Sequence, residues 1–184
     1  MTFEEIFRTH IKRDGSSELL RWLKSTDFFT APGSTRFHDC YAGGLADHSV
    51  RVFNELARLA RAYPELKISA ETAAIVTLLH DVCKANCYKV ELRNKKNEHG
   101  QWIQVPAYTF QEDFSFGGHG SKSVYLIQKF MKLTDEEAVA INCHMGVENG
   151  NFAENGNFAV NDAFRAYPLA FLVHTADMAS TIEF

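Results

Sequence analysis

The chain lacks several features that would by themselves assign it to a class. None of its 184 residues belong to an apolar run near the roughly 20 residues that cross a membrane. Its N-terminus, MTFEEIFRTHIKRDG, is charged throughout and has no apolar signal core. The four cysteines form no CxxC pair, and we interpret them as free thiols in a reducing compartment. We therefore expect a cytoplasmic protein with no membrane partner.

An excess of positive charge is also missing. The net charge is −4, which argues against a protein held to nucleic acid mainly by bulk charge, although a local basic patch stays open. Hydrophobic residues make up 46% of the chain and include fifteen phenylalanines, enough for a core without a disulfide or zinc. The length fits one domain, and we expect residues 1–184 to form it.

Helical signals dominate what is present. Thr2 followed by Glu5 predicts a capping box, and residues 1–35 are expected to form N-terminal helices. The run AETAAIVTLLHDVCK, residues 70–84, is apolar almost all round and predicts a central buried helix. Further helices are expected at 45–63, at 118–132, at 135–145 and after Pro168. The Asn- and Gly-rich segment 146–161 is expected to be a loop.

Residues 86–110 have a different character. Tyr, Val, Trp and Ile partly alternate there with polar residues, and KNEHG supplies a polar turn in the middle. This pattern predicts a β-hairpin, part of an insertion at 86–116 between helices. The expected fold class is therefore all-α, a helical bundle with a β-hairpin insertion at about 86–110.

Histidine and aspartate are spread along the chain in a pattern that suits a metal site. The candidates in chain order are His48, His80–Asp81, His119, His144 and Asp177. Imidazole and carboxylate groups from several helices, meeting at one point, would suit a divalent transition metal.

His80–Asp81 is the most informative pair in this pattern. It follows the buried run AAIVTLL, where two polar groups are costly unless they are paired or bound to a metal. A buried hydrogen-bonded pair is the alternative to a metal site. The dipeptide His38–Asp39 is similar but lies in a loop, so we rank it lower as a source of ligands.

Three segments resemble the HD-domain metal-dependent phosphohydrolase superfamily: Gly43-Gly44-Leu45-Ala46-Asp47-His48, then His80-Asp81-Val82-Cys83-Lys84, then Ala176-Asp177. The glycines before His48 are most similar to the HD domain of YhaM-type 3′→5′ exoribonucleases. The sequence departs from those enzymes in three ways. Only about 35 residues precede the motif, so we expect no added oligonucleotide-binding barrel, and Met145 follows His144 where a second histidine is common. The predicted hairpin at 86–110 also lies between the HD pair and His119.

The resemblance implies an HD-domain helical bundle and a set of site residues. The implied metal ligands are His48, His80, Asp81, His119, His144 and Asp177. Asp81 would bridge two ions, and Lys84 would contact phosphate, so these two are the expected catalytic residues. The expected substrate contacts are Arg36, His38, Lys84 and His174. The cofactor would be a divalent transition metal, two ions chosen from Fe, Mn, Ni, Co or Zn.

The function expected from this set is hydrolysis of a nucleotide or related phosphate ester by a metal-activated hydroxide. The partner would be a small-molecule phosphate ester or nucleotide, with a short oligonucleotide also open. Two alternatives stay open at this point. One is a di-iron HD-domain oxygenase, which uses the same six ligands. The other is a non-catalytic nucleotide-binding module.

Overall fold

A computed structural model describes residues 1–112, 114, 116–146 and 156–182, without the side chains of residues 156–159. These ranges contain eight α-helices and one antiparallel pair of strands. The helices are α1 (Phe3–His10), α2 (Ser16–Ser25), α3 (Gly44–Ala62), α4 (Ala70–Leu78), α5 (His119–Gln128), α6 (Asp135–Asn142), α7 (Gly156–Ala166) and α8 (Pro168–Ser180). The strands are β1 (Tyr88–Lys96) and β2 (Trp102–Phe110).

Local sequence signals start several of these helices. Thr2 caps α1 and Thr134 caps α6, each in a full capping box with the glutamate three residues on. The hydroxyl of Ser69 accepts from the amide of Thr72 at the start of α4. Pro168 lies in the first turn of α8, where its missing N–H removes no helical hydrogen bond. The capping boxes thus fix where the outer helices begin.

The predicted central helix is confirmed, but it is shorter than expected. Side chains of α4 such as Ile75 and Leu78 have no exposed surface, and α4 packs against α1, α3 and α6. The prediction that it runs to residue 84 is wrong, because α4 ends at Leu78 and a separate 3₁₀ turn covers Val82–Lys84. The helix ends where Nδ1 of His80 forms a hydrogen bond with the carbonyl of Thr77. This bend carries His80 and Asp81 into the bundle.

The hairpin prediction is confirmed. β1 and β2 pair in register from Tyr88↔Phe110 to Lys96↔Trp102. Most of its side chains are exposed, so the hairpin projects from the bundle. Its base is anchored, because the hydroxyl of Tyr88 donates to the carbonyl of Gly33 at 3.3 Å. The bundle is helical as expected, and the hairpin is its two-stranded sheet.

The loop prediction for residues 146–161 is wrong in part. The chain is already helical from Gly156 in α7, whereas residues 147–155 lie outside the described residues. Ala163 and Phe164, further along α7, pack against the hydrophobic core. Burial of these apolar side chains outweighs the weak helix propensity of the Asn and Gly residues before them.

The two N-terminal helices are part of the same hydrophobic core as the bundle. Phe3 and Phe7 of α1 and Leu19 and Leu23 of α2 are buried in it. An ion pair between the partly exposed Arg13 and the buried capping-box residue Glu137, with Nη2 and Oε1 3.0 Å apart, ties this part of the chain to α6.

No helix among the described residues is both long and apolar enough to cross a membrane.

Candidate metal centre

Two histidines follow helix ends in the same way. His80 comes just after α4 and His144 just after α6, and each Nδ1 lies 2.7 Å from the carbonyl oxygen three residues earlier. The last carbonyls of a helix have no partner within it, so they are open to such a bond. A carbonyl only accepts, so Nδ1 carries the proton in both rings. Nε2 of each neutral ring therefore directs a lone pair into the bundle.

His48 reaches the same point from the first turns of α3. A Cβ at Gly44 would lie 2.1 Å from the carbonyl oxygen of Asp39, so only glycine allows the helix start to pack this closely on the loop. The hydroxyl of Ser180 donates to the carbonyl of Asp177 at 2.8 Å. The oxygen of Ser180 lies 3.3 Å from Nδ1 of His48 and can accept a hydrogen bond from that nitrogen. Nε2 of His48 again faces inward.

Two carboxylates complete the cluster. Asp81 follows His80 in the turn, and Asp177 lies on α8. Nε2 of His48 lies 3.0 Å from Oδ1 of Asp177 and 3.2 Å from Nε2 of His80. Nε2 of His80 lies 3.4 Å from Oδ2 of Asp81, and Nε2 of His144 lies 3.5 Å from Oδ1 of Asp81. The structure thus brings together five of the residues predicted as ligands.

Two atoms of the cluster are buried without a hydrogen-bond partner among the described residues: Oδ1 of Asp81 and Nε2 of His144. Both accept when the ring is neutral, and they face each other. The Nε2 atoms of His48 and His80 lie 3.2 Å apart, beside the two carboxylates. Buried acceptors that face one another are unfavourable unless a cation lies between them. The donor set of this cluster therefore fits a metal ion.

The carboxylates are charged within this buried site. Burial alone would raise the pKa of Asp81, but the ammonium of Lys84 and the ring of His80 lower it well below its usual range. The pKa of Asp177 is lowered in the same way, chiefly by its contact with His48. Burial lowers the pKa of His48, whereas Asp81 overcomes burial and raises that of His80. The cluster thus presents two carboxylate anions beside the imidazole rings.

Lys84 lies against this cluster, in the 3₁₀ turn after Asp81. Its Nζ is 2.7 Å from Oδ2 of Asp81 and 3.1 Å from the carbonyl oxygen of Gly33. Burial would lower the pKa of Lys84, but Asp81 raises it above its usual range. The side chain therefore remains a cation at the edge of the site.

His119 lies apart from the five clustered residues. None of the groups of described ligand atoms that lie within 4.8 Å of one another includes it. It begins α5, where Nδ1 is 3.6 Å from Sγ of Cys83 and the ring is near Phe110. Its role as a metal ligand stays a prediction.

The predicted substrate contacts lie at different distances from the cluster. The ring of His38 is 4.8 Å from that of His48. Arg36 is exposed and places its guanidinium over the ring of Phe37. His174 lies behind His144 and hydrogen-bonds to its carbonyl at 2.6 Å. The substrate roles of Arg36, His38 and His174 stay predictions.

Three further residues beside His48 were not singled out from the sequence as parts of the centre. Asp39, ranked low as a ligand, lies with Oδ2 3.8 Å from Nδ1 of His48. Arg51 contacts Asp39, and Ser180 contacts both Arg51 and His48. Ser180 falls three residues after Asp177, a helical spacing that could have pointed to it. No local sequence pattern links Asp39 to Arg51. Their side chains meet only through the fold of the loop.

Comparison with known proteins decides the family. A sequence model of the HD domain matches residues 45–179, which include all five clustered residues. The chain belongs to the HD domain family. HD domains are generally metal-dependent phosphohydrolases. No curated protein and no solved structure matches the chain, so the specific likeness to YhaM-type exoribonucleases stays a prediction.

Proposed function

We propose that this HD domain hydrolyses the phosphate ester bond of a nucleotide or a related small phosphate ester with the help of a divalent transition metal. His48, His80, Asp81 and Asp177 would hold the metal. The observation that carries the proposal is the buried, unpartnered pair formed by Oδ1 of Asp81 and Nε2 of His144. A hydrogen-bonded structural cluster would pair a donor with each of these acceptors.

The ligand types support a catalytic rather than a structural ion. Two imidazoles and two carboxylates are suited to Mn, Fe, Co, Ni or Zn. The side chain of Asp177 is 14% exposed, whereas the histidines are fully buried, so solvent reaches the cluster from the Asp177 side. A divalent cation bound there would offset the charge of a phosphate oxygen and lower the pKa of a bound water.

Asp81 has the central position in this proposal. Its Oδ2 faces His48 and His80, and its Oδ1 faces His144. The two oxygens thus face imidazole rings on opposite sides, which would suit two ions bridged by one carboxylate. We propose His144 as a ligand of the second ion, and we include His119 on the sequence pattern alone.

Lys84 would bind the substrate phosphate. An ammonium group has three N–H donors, and the contacts with Asp81 and Gly33 use two. The third can donate to a phosphate oxygen and stabilise charge that develops there during the reaction. Among the other proposed contacts, His38 is best supported by its nearness to His48, and Arg36 and His174 have weaker support.

No contact among the described residues specifically favours the oxygenase or the non-catalytic module, so phosphate ester hydrolysis is the proposed activity. The two alternatives differ in observable ways. An oxygenase purified in air would hold about two irons per chain and show a mixed-valence paramagnetic signal. A binding module would bind nucleotides without turnover.

The proposal is tested by assaying phosphate release from mononucleotides, phosphodiesters and simple phenyl phosphate esters with Mn²⁺, Fe²⁺, Co²⁺ or Ni²⁺ after removal of bound metal. We expect turnover that needs the metal and is lost in His80→Asn. His99→Asn, in the exposed turn of the hairpin, should retain full activity.

Two results would contradict the proposal. One is the absence of turnover on every substrate with each metal. The other is equal metal content in the wild type and in His80→Asn, since the bound ion would then lie elsewhere. Both proteins should first be shown to be folded by their circular dichroism spectra.

A further inference from the structure

We propose that Asp39 is a positioning residue for His48, and that the His38–Asp39 dipeptide supports the metal centre without supplying a ligand. The inference rests on the proposed metal centre. It concerns the side of His48 that faces away from the other ligands.

Asp39 lies behind the metal-facing edge of His48. Its Oδ2 is 3.8 Å from Nδ1 of His48, whereas Nε2 faces His80 and Asp177. The carboxylate of Asp39 is only 8% exposed, and its Oδ2 contacts Nδ1 of His38 and the guanidinium of Arg51. A buried anion beside Nδ1 favours the proton at that nitrogen. It thereby keeps the lone pair of Nε2 available for a metal.

The ligand atoms of His38, Asp39 and His48 are close enough together to suggest a second metal site. Arg51 argues against that reading. Its guanidinium contacts Oδ2 of Asp39, and Nδ1 of His38 lies 3.0 Å from the same oxygen. A metal ion bound at that oxygen would lie beside a fixed cation. The charge of Asp39 is therefore already compensated, which suits a supporting role.

A network of contacts fixes this arrangement from three parts of the fold. Arg51 lies one turn after His48 on α3, and its Nε is 3.4 Å from the carbonyl oxygen of Ser180 on α8. The hydroxyl of Ser180 lies 3.3 Å from Nδ1 of His48. The backbone of Asp39 is left-handed, with φ of 54°, and its carbonyl accepts from the amide of Gly33 at 2.9 Å. The loop, α3 and α8 thus meet at the rear of His48.

Asp39→Asn is the informative variant. Asparagine tolerates the left-handed backbone and has nearly the same shape, so the loop can be retained while the negative charge is lost. We expect the Kd for Mn²⁺ or Co²⁺ to rise by about tenfold or more, the range seen for lost partners of ligand histidines. The matched control is Asp47→Asn, adjacent to His48 in sequence, whose carboxylate binds the hydroxyl of Tyr41. This control should bind metal like the wild type.

A second measurement uses the metal-free protein. Nitrogen-15 NMR of the histidine rings measures the share of each tautomer of His48. The carboxylate of Asp177, 3.0 Å from Nε2, competes with Asp39 for the proton, so the share protonated at Nδ1 should be equal in the wild type and Asp47→Asn and smaller in Asp39→Asn. His80 and His144 should remain unchanged because backbone carbonyls hold them. Urea unfolding with a chelator checks that each variant is folded.

Three outcomes would overturn the inference: an unchanged share of the Nδ1–H tautomer of His48 in Asp39→Asn, an unchanged Kd in that variant, or the loss of one bound ion per chain there. The last would make Asp39 a ligand. If the wild type bound no metal, the proposed function would fail. The tautomer comparison would still decide the role of Asp39.

Discussion

Replacing Lys84 with methionine should move metal binding and activity in opposite directions. Lys84 and the proposed metal both compensate the same buried carboxylate, that of Asp81. Methionine has a similar length but no charge, so it removes one of the two cations and fills the same space. The metal then becomes the main partner of Asp81.

The size of the effect follows from the contact. At 2.7 Å the attraction between the two charges is about 6 kcal/mol for an effective dielectric constant near 20. Removing one partner of a buried pair destabilises a protein by about 3–5 kcal/mol. If a bound metal recovers about 2 kcal/mol of this, the Kd for the metal should fall roughly thirtyfold. Loss of the phosphate contact should lower kcat by about a hundredfold or more.

Three measurements on one preparation test this prediction: urea unfolding with a chelator, the Kd for Mn²⁺ by competition with a fluorescent chelator, and phosphate release. The matched control is Lys24→Met, which removes a half-exposed ion pair with Glu4 far from the site. The reasoning is refuted if Lys84→Met weakens metal binding and activity in parallel, because Lys84 would then only maintain the shape of the site.

Three further predictions concern the site and the fold. Mn²⁺ at a hundred times its Kd should stabilise the wild type by about 2.7 kcal/mol, which corresponds to a rise in Tm of about 5–10 °C. Differential scanning fluorimetry should show this rise in the wild type and none in Asp81→Asn. Glu137→Gln should destabilise the protein by about 3 kcal/mol at pH 7 in urea unfolding. Burial would raise the pKa of Glu137, but the contact with Arg13 lowers it. The stability from this contact is therefore present above the ordinary pKa of 4.5 and is lost as the pH falls through the lowered pKa of the folded protein. An equal decrease in unfolding free energy on Glu137→Gln at pH 7 and at pH 3 would contradict this. Gly44→Ala should destabilise the protein by about 1–3 kcal/mol and weaken metal binding, because the new Cβ would collide with the carbonyl of Asp39. If this variant bound metal with the Kd of the wild type, the loop would not support His48.

Much of the fold could be predicted from local signals. The capping box at Thr2 and the alternation in residues 86–110 correctly predicted the start of α1 and the hairpin. The end of α4 at Leu78 could not be predicted, because apolar periodicity continues through Leu79 and the bend depends on the contact between His80 and Thr77. The helix from Gly156 was missed because it depends on core packing that its Asn and Gly residues do not reveal.

The candidate site was predictable to the extent that its residues follow a spaced pattern. Five of the six proposed ligands meet in the structure because helix ends and helix faces carry them to one point. The place of Asp39 beside His48 could not be predicted, because a loop has no periodicity that indicates where its side chains lie. The ligand role of His119 stays a prediction, and its place at the start of α5 beside Cys83 depends on how the segment after the hairpin folds.

The most direct test of the metal centre is a crystal of the protein soaked in Mn²⁺ and measured with X-rays near the manganese absorption edge. We predict an anomalous-difference peak within bonding distance of His48, His80, Asp81 and Asp177. A second peak on the His144 side of Asp81 would indicate two ions. No peak at this cluster, with manganese bound elsewhere or not at all, would contradict the proposed centre.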